Sequence, residues 1–172
     1  MDNIKVLISK EEIDKRVLEL SNELYNKYKD EELVFVITLK GACPFGMNLF
    51  NNYNGKATLE FVRVSSYIGE NSTGNIELKL GLKEENIKDK NVLIVEDIVD
   101  TGNTLMYLRK YIKDLGCKNV EEVTLLNKES RRTVDIKPTY IGFDIEDHFV
   151  LGYGLDYDEY YRNLNYIGYI EK

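Results

Sequence analysis

The apolar residues of this chain follow two spacings, one typical of strands and one of helices. Buried strands are predicted where apolar residues run together without alternation, as at 33–39 and 92–95. Helices are predicted where apolar residues recur every three or four positions, as after residues 9 and 104. The predicted strands and helices alternate along the chain. This alternation predicts an α/β fold with a mostly parallel sheet and a ligand site at the carboxyl ends of its strands. Further strands are predicted at 58–66, 76–80, 120–126 and 139–145.

Two of the predicted helices have clear boundaries. Ser9 and Glu12 fit a capping box at the start of the first helix, and a later helix runs from Leu105 to a stop at Gly116. A shorter helical stretch is predicted at 45–52. The apolar face of the first helix consists of Ile13, Val17, Leu20 and Leu24.

The remaining segments have weaker patterns. Residues 67–75 form a polar loop between two predicted strands, which is typical of a mobile hairpin tip. The tail from Phe149 to Lys172 is rich in tyrosine and lacks strong helical periodicity. We expect it to form a small cap beside the sheet together with residues 4–8.

The composition limits the possible partners. The 172 residues predict one domain, and 43% hydrophobic and 31% charged residues are ordinary for a soluble protein. Thirty acidic against 23 basic residues give a net charge of −7, which argues against a nucleic-acid-binding surface. No apolar stretch approaches the roughly 20 residues of a membrane span, and the N-terminus lacks a signal-peptide pattern. Cys43 and Cys117 have no CxxC spacing, and His148 is the only histidine, so we expect reduced thiols in a cytoplasmic protein with no membrane partner.

The segment from Val92 to Leu105 contains the most informative chemistry. Its apolar strand leads into the acids Glu96, Asp97 and Asp100, and a glycine-containing turn then precedes a helix. Backbone N–H groups and hydroxyls at a helix start bind phosphate, and carboxylates bind sugar hydroxyls. The segment therefore predicts a site for a phosphorylated sugar, although capping and turn chemistry alone would explain the turn residues equally well.

The same segment, Val92–Leu105, closely resembles the phosphoribosyl-pyrophosphate (PRPP) motif of the type I phosphoribosyltransferases. The resemblance implies an α/β fold with a mostly parallel central sheet flanked by helices and a flexible lid loop. It also implies a single domain spanning 1–172, with a core of about 9–145 and a small hood formed by about 1–8 and 146–172.

The resemblance assigns roles to the acidic turn. Glu96 and Asp97 would face the ribose hydroxyls and the magnesium shell, and Asp100 would lie near the purine N7 as general base. Magnesium held between ligand oxygens and carboxylates would explain how an acidic protein binds anionic PRPP. The residues implied to bind the ribose and phosphate of PRPP are Glu96, Asp97, Asp100, Thr101, Gly102, Asn103 and Thr104.

Two further segments match the family. In the Leu-Lys-Gly turn, Lys40 and Gly41 would contact pyrophosphate, and the peptide bond between Leu39 and Lys40 is often cis in the family. Without the resemblance, this turn would be interpreted as a surface turn. Residues 66–67 and 72–74 match the base and tip of the family's lid loop, with Ser66 and Tyr67 implied to bind pyrophosphate. Closure would protect a cationic sugar intermediate from water.

The C-terminal half narrows the resemblance to the hypoxanthine-guanine phosphoribosyltransferases, particularly the short bacterial type. Taken alone, Lys128 is typical of a solvated strand end and Phe149 of a core aromatic. The resemblance depends on a series of motifs in the right order. The series is Lys128, Lys137-Pro138, Phe149-Val150, Gly152–Tyr157 and Tyr161–Leu164.

These matches imply a purine site. Lys128 would donate to the 6-oxo group, which suits hypoxanthine and guanine and gives the amino group of adenine no acceptor. Phe149 would stack on the ring, and the Val150 backbone would read the base edge. Asp156 would lie beside the purine and bind magnesium together with Glu96 and Asp97, and Arg162 would contact pyrophosphate. His148 is not expected to be catalytic.

The resemblance implies transfer of the 5-phosphoribosyl group from PRPP to hypoxanthine or guanine, giving IMP or GMP and pyrophosphate with Mg²⁺. It also implies a homodimer or homotetramer. Two alternatives remain: a PRPP-sensing regulator that binds nucleic acid, and a related enzyme for xanthine, uracil or orotate. The acidic charge disfavours the regulator. Lys128 and Phe149 favour a 6-oxopurine, a class that includes xanthine.

Overall fold

A computed structural model describes residues 4–67 and 75–170 of the chain. The tip of the predicted lid, residues 72–74, lies outside the described residues. Within them, no helix is long and apolar enough to cross a bilayer. The helices are α1 (Lys10–Tyr28), α2 (Cys43–Asn52), α3 (Glu84–Ile87) and α4 (Asn103–Asp114), and the strands are β1 (Ile4–Ile8), β2 (Leu33–Leu39), β3 (Ala57–Tyr67), β4 (Asn75–Leu80), β5 (Asn91–Val99), β6 (Asn119–Asn127), β7 (Tyr140–Asp144), β8 (Val150–Leu151) and β9 (Ile167–Ile170).

The central sheet has six strands in the order β4-β3-β2-β5-β6-β7. All neighbouring pairs are parallel except β3 and β4, which form an antiparallel pair at one edge. The predicted α/β class with a mostly parallel sheet is therefore confirmed. The carboxyl ends of β2, β5 and β6 lie side by side, which brings the turns that follow them together at one edge of the sheet.

Alternate residues of the central strands pack on opposite faces of the sheet. Phe35 and Ile37 of β2 join the core beneath α1 and α2, whereas Val34 and Val36 join the core beneath α4. All four are fully buried, which is why β2 has a continuous apolar sequence. The capping box at Ser9 is present, and the predicted apolar face of α1 is buried.

Strand β5 is longer than the sequence pattern predicted. The apolar run ends at Val95, but the strand continues to Val99 because Glu96, Ile98 and Val99 pair with β6. The two adjacent acids therefore lie within the sheet rather than in the turn. This position buries Glu96, of which only 5% is exposed.

The two ends of the chain form a second, antiparallel sheet in the order β1-β9-β8. This hood lies at the carboxyl edge of the central sheet, where its Gly154 packs against Gly41. A Cβ atom on Gly154 would lie 2.0 Å from the Gly41 carbonyl oxygen, and Gly154 has a φ of +100°. The hood is also attached to the helices, since Asn48 donates a 2.8 Å hydrogen bond to the Tyr153 hydroxyl. The predicted cap of terminal segments is confirmed.

Candidate active site

The turn between β5 and α4 surrounds a small cavity. Gly102 is the N-cap of α4, with a φ of +89°, and it brings no side chain to the first N–H groups of the helix. A Cβ atom there would lie 2.6 Å from Ile136 Cγ2, so this position requires glycine. The cavity has a volume of about 90 Å³, and the N–H groups at a helix start favour an anion. It is lined by Glu96, Ile98, Val99, Asp100, Thr101, Gly102, Thr104 and Leu105.

Two carboxyl groups lie beside this cavity. Thr38 donates a 3.0 Å hydrogen bond to Glu96 Oε1, and burial together with the neighbouring charge of Asp97 raises the pKa of Glu96 well above its usual range. Burial also raises the pKa of Asp97 to about 6, although the Ile98 N–H donates to Asp97 Oδ1 at 2.7 Å and partly offsets this effect. The pair is therefore costly to ionise without a cation.

The Leu-Lys-Gly turn lies against these carboxyl groups. The Leu39–Lys40 peptide bond is cis, as the resemblance implied. A Cβ atom on Gly41 would lie 1.6 Å from Asp97 Oδ2, so only glycine allows the turn to approach the carboxylate this closely. Lys40 and Gly41 therefore border the same space as Asp97.

A group of charged side chains from the hood completes this side of the site. Arg162 NH2 lies 2.8 Å from Asp156 Oδ1 and 3.2 Å from Glu159 Oε1. The other oxygen of Glu159 accepts a 2.6 Å hydrogen bond from Lys40 Nζ. Glu159 thus bridges the two cations predicted to bind pyrophosphate. No sequence pattern predicted this bridge, because Lys40 and Glu159 are 119 positions apart.

Asp100 lies at the start of the turn and forms an ion pair. Arg131 Nε lies 3.0 Å from Asp100 Oδ1, and Arg131 NH1 donates to both oxygens of Asp147 at 3.3 and 3.4 Å. Arg131 ends a short 3₁₀ turn that begins directly after Lys128. No sequence pattern singled out Arg131.

An open cleft of about 460 Å³ lies between Lys128 and the hood. Lys128 is only 6% exposed and is not a solvated strand end; its Nζ donates to the His148 carbonyl at 2.6 Å. Phe149 is 58% exposed and meets Tyr157 edge to face at 5.6 Å, so it is not a core aromatic. Val150 begins β8 and is buried. This combination of a cation and an open aromatic face suits a flat, polar ring.

Not all predicted site residues converge. Ser66 and Tyr67 end β3, and their predicted contact with pyrophosphate stays a prediction. Among residues 4–67 and 75–170, no three His, Cys, Asp or Glu side chains form a metal-binding group. The predicted set of Glu96, Asp97 and Asp156 is therefore not a preformed cage, and Asp156 is paired with Arg162.

The fold and this site define a phosphoribosyltransferase, and comparison with known families agrees. Residues 8–158 match the model of the phosphoribosyl transferase domain. Since the match covers most of the chain, this protein belongs to the phosphoribosyl transferase family.

Comparison with individual proteins gives a more specific result than the family model. The chain is 43% identical to the hypoxanthine-guanine phosphoribosyltransferase of Bacillus subtilis, over 97% of this chain and 93% of the relative. A hypoxanthine-guanine phosphoribosyltransferase structure from Bacillus anthracis superposes with a TM-score of 0.92 at 38% identity, covering 98% of this chain and 100% of the other. A hypoxanthine phosphoribosyltransferase structure from Staphylococcus aureus gives 0.91 at 40% identity, covering 97% and 91%.

Proposed function

We propose that this protein is a purine salvage enzyme that transfers the 5-phosphoribosyl group of PRPP to hypoxanthine or guanine. The products are IMP or GMP and pyrophosphate. The observation that carries the proposal is that Asp100 lines the cavity at the start of α4 and pairs with Arg131, which lines the cleft of Lys128 and Phe149. The identity to hypoxanthine-guanine enzymes over nearly the whole chain supports this choice of substrates.

The donor would lie across the carboxyl ends of β2 and β5. The N–H groups of residues 101–104 would bind its 5′-phosphate, and Glu96 and Asp97 would face the ribose hydroxyls. Lys40 and Arg162 would bind the pyrophosphate, which requires Glu159 to release them. Because the Lys40–Glu159 pair is largely exposed, its exchange for a more highly charged anion costs little.

The acceptor would occupy the cleft, with its ring against Phe149. Lys128 would donate to the 6-oxo group and stabilise negative charge there as the N7 proton passes to Asp100. Purine N9 then forms a bond to the anomeric carbon of ribose as the bond to pyrophosphate breaks. Lys40 and Arg162 would stabilise the departing pyrophosphate.

We propose Mg²⁺ as the cofactor. The carboxyl groups of Glu96 and Asp97 fit a hard cation, because both are costly to ionise alone and the hydroxyl of Thr38 is neutral. Mg²⁺ commonly binds through one or two carboxylates together with substrate phosphates, so no preformed cage is required. Asp156 is the proposed carboxylate on the hood side. Bound there, the ion would supply positive charge for the pyrophosphate group.

Turnover with separate bases tests the proposal. Pyrophosphate release is measured with Mg²⁺ and PRPP in the presence of hypoxanthine, guanine, xanthine, adenine or uracil. We expect turnover with hypoxanthine or guanine and little with adenine or uracil. Turnover with xanthine or a pyrimidine, and with neither expected base, would contradict the proposed substrates.

The assembly and location of the enzyme also stay proposals. We propose a cytoplasmic homodimer or homotetramer, on the basis of the composition and of the family resemblance. Sedimentation of the purified protein at micromolar concentration measures the assembly, and a monomer would contradict it.

A further inference from the structure

Resting on the proposed function, we propose that Arg131 is a positioning residue that holds Asp100 in place and couples it to the wall of the purine cleft. Arg131 lines the purine cleft, but its proposed role does not depend on a contact with either substrate. It acts through Asp100, the proposed acceptor of the N7 proton.

The guanidinium group of Arg131 contacts two carboxylates, those of Asp100 and Asp147. Its Nε lies 3.0 Å from Asp100 Oδ1, and its Nη1 donates to Asp147, which also lines the cleft. A planar group with several donors can contact two carboxylates at once, which the single ammonium of lysine cannot do in the same geometry. The backbone of Arg131 is fixed as well, because its N–H donates to the Lys128 carbonyl at 3.2 Å.

The two oxygens of Asp100 have different environments. Oδ1 is buried and accepts no hydrogen bond among the described residues, so its 3.0 Å contact with Arg131 is an ion pair only, whereas the side chain as a whole is 41% exposed. The exposure therefore falls on the other atoms, of which Oδ2 is the one able to accept a proton. The charge of Arg131 thus faces one oxygen of Asp100, and the other oxygen is left for the purine.

Arg131 acts on Asp100 both through its charge and by fixing its position. An exposed ion pair changes an equilibrium by no more than about fivefold. Misplacing a catalytic group by about 1 Å costs on the order of a hundredfold in rate. The positioning effect is therefore the larger one, and removing Arg131 should slow the reaction.

Asp147 extends the coupling to the purine side. It lies 3.5 Å from Lys128 Nζ as well as within reach of Arg131. Lys128, which would hold the 6-oxo group, and Arg131, which pairs with the proposed general base Asp100, therefore share the carboxylate of Asp147. A shift of Arg131 would disturb the alignment of both ends of the purine.

The test compares Arg131→Gln, Arg131→Lys and Asp100→Ala with wild type under Mg²⁺ and saturating PRPP. For Arg131→Gln we expect kcat to fall by about 10- to 100-fold, while KM for PRPP stays within about twofold because the phosphate turn is intact. Arg131→Lys should recover only part of kcat. Added guanidinium at millimolar concentration should partly restore Arg131→Gln and have no effect on Asp100→Ala. Lys118→Gln, which removes an exposed ion-paired cation at the opposite edge of the sheet, is the matched control and should behave as wild type.

Several outcomes would overturn the inference. Arg131→Gln with wild-type kcat would do so, as would a rise in KM for PRPP at constant kcat. If Arg131→Gln unfolds, Asp147→Asn removes the second anchor instead and should lower kcat several-fold; an unchanged kcat would overturn the inference. If the wild type converts neither hypoxanthine nor guanine, the proposed function fails and the role of Arg131 in it fails too, whereas an active wild type isolates the test of Arg131.

Discussion

The carboxyl pair Glu96–Asp97 should make the free protein less stable as pH rises. Burial raises the pKa of Asp97 from its ordinary value of 3.8 to about 6, and it raises the pKa of Glu96 as well. The nearby charge of Arg162 lowers the pKa of Asp97, and that of Asp156 raises it. Asp97→Asn removes this charge and retains an oxygen that can accept the hydrogen bond from Ile98.

The sign of the effect follows from proton binding. Below about pH 4, Asp97 is protonated in both the folded and the unfolded chain, so its stabilising contribution is fully present. As pH rises through about 6, the unfolded chain releases its proton first and the folded state must then ionise a buried group. This contribution to the free energy of unfolding is therefore lost between about pH 4 and 6.

The magnitude follows from the size of the rise in pKa. A rise from 3.8 to about 6 corresponds to about 3 kcal/mol at 1.36 kcal/mol for each tenfold change in proton affinity. Asp97 remains partly accessible, so solvent reduces the effect, and we expect about 1–2 kcal/mol. Loss of the Asp97 charge also makes Glu96 easier to ionise, which acts in the same direction.

Urea unfolding without Mg²⁺ measures the effect between pH 4 and 8. Relative to wild type, Asp97→Asn should gain about 1–2 kcal/mol at pH 8 and much less at pH 4. Asp114→Asn, which removes an exposed carboxylate of α4, should differ from wild type by less than about 0.5 kcal/mol at every pH. A difference between Asp97→Asn and wild type that does not grow with pH would refute the reasoning.

Three further substitutions probe other parts of the site. Glu159→Gln should strengthen product inhibition by pyrophosphate by about two- to fivefold, because Lys40 loses its carboxylate partner and Arg162 loses one of its two; inhibition kinetics would exclude this role if the inhibition constant were unchanged. Lys128→Met should raise KM for hypoxanthine and guanine by at least about tenfold and leave KM for PRPP near its wild-type value, since it removes the proposed 6-oxo contact and leaves the turn at residues 101–104 unchanged; equal changes in both would contradict the assignment. Gly154→Ala should lower the free energy of unfolding by about 2 kcal/mol or more, because its Cβ would clash with the carbonyl of Gly41; urea unfolding at wild-type stability would show that the hood loop moves away freely.

Local patterns predicted most of the fold. The capping box and apolar face of α1 involve residues close in sequence, and the α4 helix follows from spacing within one segment. The length of β5 was missed because its polar residues pair with β6, a partner that local hydrophobicity does not reveal. Propensity and burial patterns describe a strand by its own residues, whereas its end depends on its neighbour.

The candidate site likewise contains features that local sequence predicts and features that it does not. The proposed phosphate-binding turn, residues 100–104, is continuous in sequence, so its cavity could be anticipated from Gly102 and the acids before it. Glu159 and Arg131 could not, because their relevance comes from side chains that reach across loops to Lys40 and Asp100. Charged residues in polar turns are ordinary surface features until tertiary structure gives them partners.

The paired charges explain how an acidic protein can keep an anion site. Each cation proposed to contact a substrate or the general base Asp100 already has a carboxylate partner in the structure. Ligand binding would then exchange one partner for another, which avoids both a repulsive cluster of free cations and the desolvation of an unpaired charge. Most of these groups are partly exposed, so each exchange is energetically small, and the order in which the pairs open can follow the order in which the ligands arrive. The pairs are Lys40–Glu159, Arg162–Asp156, Arg131–Asp100 and Lys128–Asp147.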